Sequence, residues 1–62
     1  MTKEEIINRL KGHLRAMKQR RGKLQKGDLL YCITYVMDFM LVEKEQAKQF
    51  VAENVPEVSK FC

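Results

Sequence analysis

No CxxC pair and no histidine-rich tract occurs in this chain, whose cysteines are Cys32 and Cys62 and whose one histidine is His13. A strong metal signature is thereby excluded. Nor is there a phosphate-binding glycine loop, a nucleophile elbow or a pair of carboxylates set for acid–base work, so neither an enzyme nor a cofactor is expected. The N-terminus, MTKEEIINRL, is charged and helical in pattern rather than the apolar core of a signal peptide. A cytoplasmic location is therefore the expectation, with both thiols reduced. Linkers, internal repeats and low-complexity tracts are absent as well, which leaves a single helical domain over residues 1–62.

Long apolar runs are also scarce. The one candidate is LLYCITYVMDFMLV, Leu29 to Val42, with twelve apolar residues in fourteen. A spanning helix needs about 20 such residues. Asp38 near the middle would cost about 2.5 to 3.5 kcal/mol in a bilayer even on the lenient insertion scale, and Glu43, Lys44 and Glu45 come directly after the run. No membrane partner is expected.

What is present is a helical pattern. Thr2 and Glu5 form T-x-x-E, the spacing of a capping box, so a helix should start at Lys3. Ile6, Ile7, Leu10, Leu14 and Met17 then fall on one stripe at 3-4 spacing. Gly22 suits a left-handed C-terminal cap and ends this helix near Arg21. Within it, Gly12 permits a close helix crossing, and His13 sits at the boundary of the stripe rather than in a catalytic pair. Residues 22–28 are the expected turn, with Asp28 as the cap of the next helix. That second helix is read from Leu29 to about Glu53, with a seam through Leu29, Ile33, Val36, Met40, Ala47 and Phe50 and Glu43 as its one polar step. Unbroken, it would be about 37 Å long at 1.5 Å per residue. Val55 before Pro56 breaks it. In the tail, residues 54–62, Asn54 and Glu57 stand again at capping-box spacing, and Val55, Val58 and Phe61 can fold back as a lid.

A chain of 62 residues hides only about 60% of the surface its unfolded form exposes. Core burial minus roughly 1.5 kcal/mol of ordering entropy per residue comes out near zero, so small scaffolds need a further source of stability. Disulfides and metals being set aside, that source is a second copy. Between Leu29 and Val42 the apolar residues go all the way round the helix, more than one short helix can cover. The expected fold is therefore all-α, a helical hairpin with a short C-terminal helical turn, pairing into a dimeric four-helix bundle. Leu29, Tyr31, Ile33, Tyr35, Val36, Phe39 and Met40 are its expected interface, with Asp38 paired to a base, either Arg21 or a first-helix lysine. Cys32 should behave as an inert hydrophobe, and Cys62 as a thiol able to crosslink dimers on oxidation.

Charge is divided along the chain. Residues 1–27 hold nine Lys or Arg against two Glu, whereas residues 28–62 hold three Lys against six acids. Lys11, Arg15 and Lys18 share a helix face, and Arg20 and Lys23 join them near the turn. This patch is the candidate binding surface for an unidentified protein or, in the alternative, for DNA or RNA through phosphate neutralisation.

RLKGHLRAMK (Arg9 to Lys18) together with YCI (Tyr31 to Ile33) is similar to segments of the small all-helical copper-sensing and formaldehyde-sensing bacterial repressors. That resemblance covers thirteen residues and maps the first metal cysteine onto Cys32. The family's histidine four residues before a second cysteine is Val58 here, which removes a metal ligand and sets copper sensing aside. In type, the chain is similar to the small early-region accessory proteins of lambda-type phages, which are short, charged and helical without catalytic motifs. That likeness implies a non-catalytic protein that binds a host or phage regulator.

Overall fold

The computed structural model describes residues 2–61; the expectation for Cys62 lies outside them. The described residues are all-helical in architecture, with three α-helices and a closing 3₁₀ segment.

Helix α1 spans Lys3–Arg21. Its start is the anticipated capping box: Thr2 Oγ1 accepts from the Glu5 N–H at 3.2 Å, and a Glu5 carboxylate oxygen accepts from the Thr2 N–H at 3.4 Å. Ile6, Leu10 and Leu14 are buried along the stripe. Gly22 ends the helix at φ 83°, its N–H donating to the Lys18 carbonyl at 2.7 Å. The left-handed region admits glycine without a Cβ clash, so the sequence signal and the backbone agree. Gly12 does not serve a helix crossing, since it is exposed and a Cβ built on it meets nothing within 4 Å.

Helix α2, Lys26–Met40, starts earlier than Leu29. Gln25 is the extended N-cap, and the Asp28 carboxylate, three residues on, accepts from the Gln25 N–H at 2.7 Å. Asp28 therefore works from inside the first turn rather than at its edge, where an acid also complements the helix dipole.

The larger correction concerns the 25-residue second helix, which is in fact two helices. The chain leaves α2 at Leu41, whose φ of 55° and ψ of 47° are left-handed, and re-enters helix α3 at Lys44–Asn54. Glu43 is the N-cap of α3, and its N–H donates to the Gln46 side-chain oxygen at 3.2 Å. The reason is the same all-round apolarity that pointed to a second chain. A straight rod would leave most of α2 uncovered, whereas the break lays Ala47, Phe50 and Val51 of α3 into the core. Fully burying each large aliphatic side chain is worth about 1.5–3 kcal/mol, which outweighs about 1–2 kcal/mol for a left-handed leucine.

The break at Val55 is where the Val-Pro pair placed it, and a 3₁₀ segment, Pro56–Phe61, comes next. Val55 and Val58 are fully buried and Phe61 partly so, which makes the segment the lid expected of it. Asn54 does not cap it. Its side-chain N–H donates instead to the Phe50 carbonyl at 3.0 Å, closing the end of α3. Lys3 lies 5.6 Å from the centre of the Phe50 ring and ties α3 to the start of α1. The radius of gyration is 10.8 Å, against about 10.6 Å expected for a compact domain of this length. One copy thus closes a core by itself.

Candidate functional site

Two surfaces and one buried node carry the chemistry. The node is Asp28, the one buried charged residue among those described, at 4% exposure. Arg21 Nη2 donates to its carboxylate at 2.6 Å, Arg21 Nη1 to the Gln25 side-chain oxygen at 3.3 Å, and His13 Nε2 stands 3.9 Å from the other Asp28 oxygen. Arg21 thus pairs with Asp28 and not with Asp38, the partner expected from sequence, which is exposed. The His13–Asp28 separation is too long for a hydrogen bond, and the carboxylate is already engaged by Arg21 and the Gln25 N–H. This arrangement ties the end of α1 to the start of α2.

Cys32 lies one turn beyond Asp28 with no exposed surface. Burial, helped by the charges of Asp28 and Glu57, pushes its thiol from 9.0 up to about 11. The thiolate is the nucleophile and the metal ligand, so this cysteine is held in its inert form. Among the described residues no three of His, Cys, Asp and Glu gather closely enough to hold a metal ion.

The first surface is a groove between α1 and the 3₁₀ segment. Lys11, Arg15 and Lys18 follow i, i+4, i+7 spacing and so share a flank of α1. Lys23 and Leu24 of the turn close one end, while the 3₁₀ segment adds Glu57 and Lys60. Together they enclose an open volume of about 430 Å³ over a floor of buried Leu14 and half-buried Leu24. Among the described residues both ion pairs fall on Asp28, so the five cations of the groove are left without a carboxylate at ion-pair distance. With five cations against the one carboxylate of Glu57, the concave site keeps a net positive field that raises the local concentration of anions.

Of the residues singled out from sequence, Lys11, Arg15, Lys18 and Lys23 are thus brought together. Arg20 is not. It is seven residues from His13 and shares that residue's flank of α1, away from the groove. Lys60 and Glu57 escape a sequence reading, since only the fold-back of the tail brings them to α1.

The second surface is a line of rings. His13 stacks on Tyr31 with centroids 3.8 Å apart and planes at 15°, Tyr31 approaches Tyr35 at 6.1 Å, and Tyr35 stacks on Phe39 at 4.5 Å. Tyr31 and Phe39 remain 43% and 52% exposed, and Leu30 beside them 49%. Of the expected interface, Tyr31, Tyr35 and Phe39 lie along this line and Met40 is half-buried. Leu29, Ile33 and Val36 are instead in the core of the single chain, because α3 returns over them. A smaller groove of about 230 Å³, lined by Leu29, Leu30, Ile33, Phe61 and three lysines, borders the same helix.

No helix among the described residues is long and apolar enough to cross a membrane. The chain matches no protein-family model, no curated protein and no solved structure.

Proposed function

We propose that this chain is a non-catalytic, homodimeric helical interaction protein that modulates a protein partner in the cytoplasm, in the manner of a phage accessory protein acting on host machinery. The observation that carries the reading is the groove of Lys11, Arg15, Lys18, Lys23 and Lys60 over the Leu14 and Leu24 floor. Cations alone would suit any polyanion. An apolar floor beneath them suits an acidic segment that also presents an apolar side chain, which is the chemistry of an amphipathic acidic helix. The homodimer reading rests on the exposed Leu30, Tyr31 and Phe39, since clustered exposed apolar side chains mark interfaces.

The rival reading is DNA or RNA binding through the basic first helix. It draws support from Arg9 and Arg20, which carry positive charge to the ring-lined flank of α1. The outward residues of α3 do not add to it, since Lys44 and Lys48 are balanced by Glu45 and Glu53.

Fluorescence anisotropy separates the two. A short acidic amphipathic peptide should bind the wild-type protein, and Lys11→Glu with Arg15→Glu should weaken that binding by about tenfold or more, roughly 1.4 kcal/mol. Arg20→Glu, off the groove, should leave it nearly unchanged. Binding of an oligonucleotide that falls steeply with salt, with no binding of the peptide, would overturn the protein-partner reading in favour of the nucleic-acid one.

A further inference from the structure

We infer that two copies of this chain meet along the outward side of α2 in antiparallel register, with the two-fold axis beside Thr34, so that each Asp38 is received by the partner's Tyr31 and His13. This rests on the homodimer reading above and specifies its geometry.

The outward side of α2 carries Leu30 and Tyr31 near one end, Thr34 in the middle, and Asp38 near the other, all exposed. Between Leu29 and Met40, Asp38 is the only ionisable carboxylate or base. That single charge decides the register. Parallel packing would set Asp38 against its own mate inside an apolar contact, and like charges brought together out of water are strongly unfavourable.

Antiparallel packing avoids the clash and supplies a receptor. Thr34 is smaller than its neighbours Leu30 and Tyr31 on this side of α2 and lets the two helices approach at the axis. Asp38 lies four residues beyond it, about 6 Å along the helix at 1.5 Å per residue. Rotation about the axis carries Asp38 to the level of the partner's Leu30 and Tyr31. His13 is at the same level, because its ring is stacked on Tyr31 at 3.8 Å. The Tyr31 hydroxyl makes no hydrogen bond within the described residues and needs an acceptor once it is covered. A carboxylate is such an acceptor, and the imidazole beside it offers a second polar contact.

Sedimentation equilibrium and cysteine crosslinking test this register. In a Cys62→Ser background, where the remaining native thiol is the buried Cys32, Thr34→Cys should link to itself under mild oxidation. Asp38→Cys should fail to do so, because its two copies would stand about 12 Å apart along the helices, beyond disulfide reach. Asp38→Asn should raise the dimer dissociation constant by about threefold to tenfold through loss of the charge-assisted contact. Self-linking of Asp38→Cys, or a tighter dimer with Asp38→Asn, would overturn the antiparallel register while leaving the homodimer intact. A wild-type chain that stays monomeric at high micromolar concentration would overturn the homodimer itself.

Discussion

The joint after α1 and the joint after α2 both turn the chain through a left-handed residue, Gly22 at φ 83° and Leu41 at φ 55°. At the first, the residue has no Cβ to clash, and the adjoining turn is tied down by Arg21, Gln25 and Asp28. At the second, a leucine holds the same region of backbone with its side chain 88% exposed. A side chain so exposed buries too little to offset the strain. The second joint is held from a distance, by the packing of α3 and the 3₁₀ segment over α2. A turn can thus be fixed by its own residues or by the core on either side of it, and the two kinds respond to different substitutions.

Asp28→Ala should break the first joint most severely. It leaves the Arg21 guanidinium and the Gln25 N–H without their acceptor, and a loss of about 2–3 kcal/mol is expected in urea unfolding. Next in size is the alkaline limb monitored through Cys32, one turn inside the first joint. Below pH 9.0 its thiol is protonated in both states, and between 9.0 and about 11 only the unfolded chain ionises. Stability should therefore fall as pH rises through that window, by about 1.4 kcal/mol per pH unit from this group. A Cys32→Ala variant, compared in the same window, should lose that component of the slope. Gly22→Ala forces a Cβ into the left-handed region and should cost about 1 kcal/mol. Leu41→Gly is the smallest effect and has the opposite sign. It relieves the second joint without uncovering core and should raise stability by about 0.5–1 kcal/mol, net of the added freedom of the unfolded chain. A destabilised Leu41→Gly would show that the leucine has a contact of its own, and the contrast between the joints would fail.

The same contrast explains how far the sequence can be read. Thr2-x-x-Glu5, Gly22 and Val55-Pro56 are local signals, and α1 and the start of the tail stand where they put them. The second joint has neither glycine nor proline, and the helix formers of DFMLVEKEQ run straight across it. Its one local sign is Glu43-x-x-Gln46, which has the grammar of the capping box at Thr2 but passes equally well for a polar step in a continuous seam. That ambiguity leads to the assignment of Leu29, Ile33 and Val36 to an interface, for a helix without the returning α3 has no other way to cover them. Lys11, Arg15 and Lys18 are legible because i, i+4, i+7 spacing is set within one helix. Lys60 and Glu57 are not, since their place in the groove depends on the 3₁₀ segment doubling back past α3. Asp28, seven residues from Arg21, is read from sequence as a helix cap, and only the turn after Gly22 shows that its carboxylate also receives the Arg21 guanidinium.

The Asp28 node also bears on the order in which the molecule assembles. Its partners His13, Arg21 and Gln25 all precede it, and the farthest is fifteen positions away. Loops of about ten residues close in roughly 10–100 ns, far faster than contacts between distant parts of a chain. The node that ties α1 to the start of α2 is therefore contained within the first half of the chain. A nascent polypeptide that has emerged only a little past residue 28 already holds every side chain of the node, before α3 exists to cover the rest of α2.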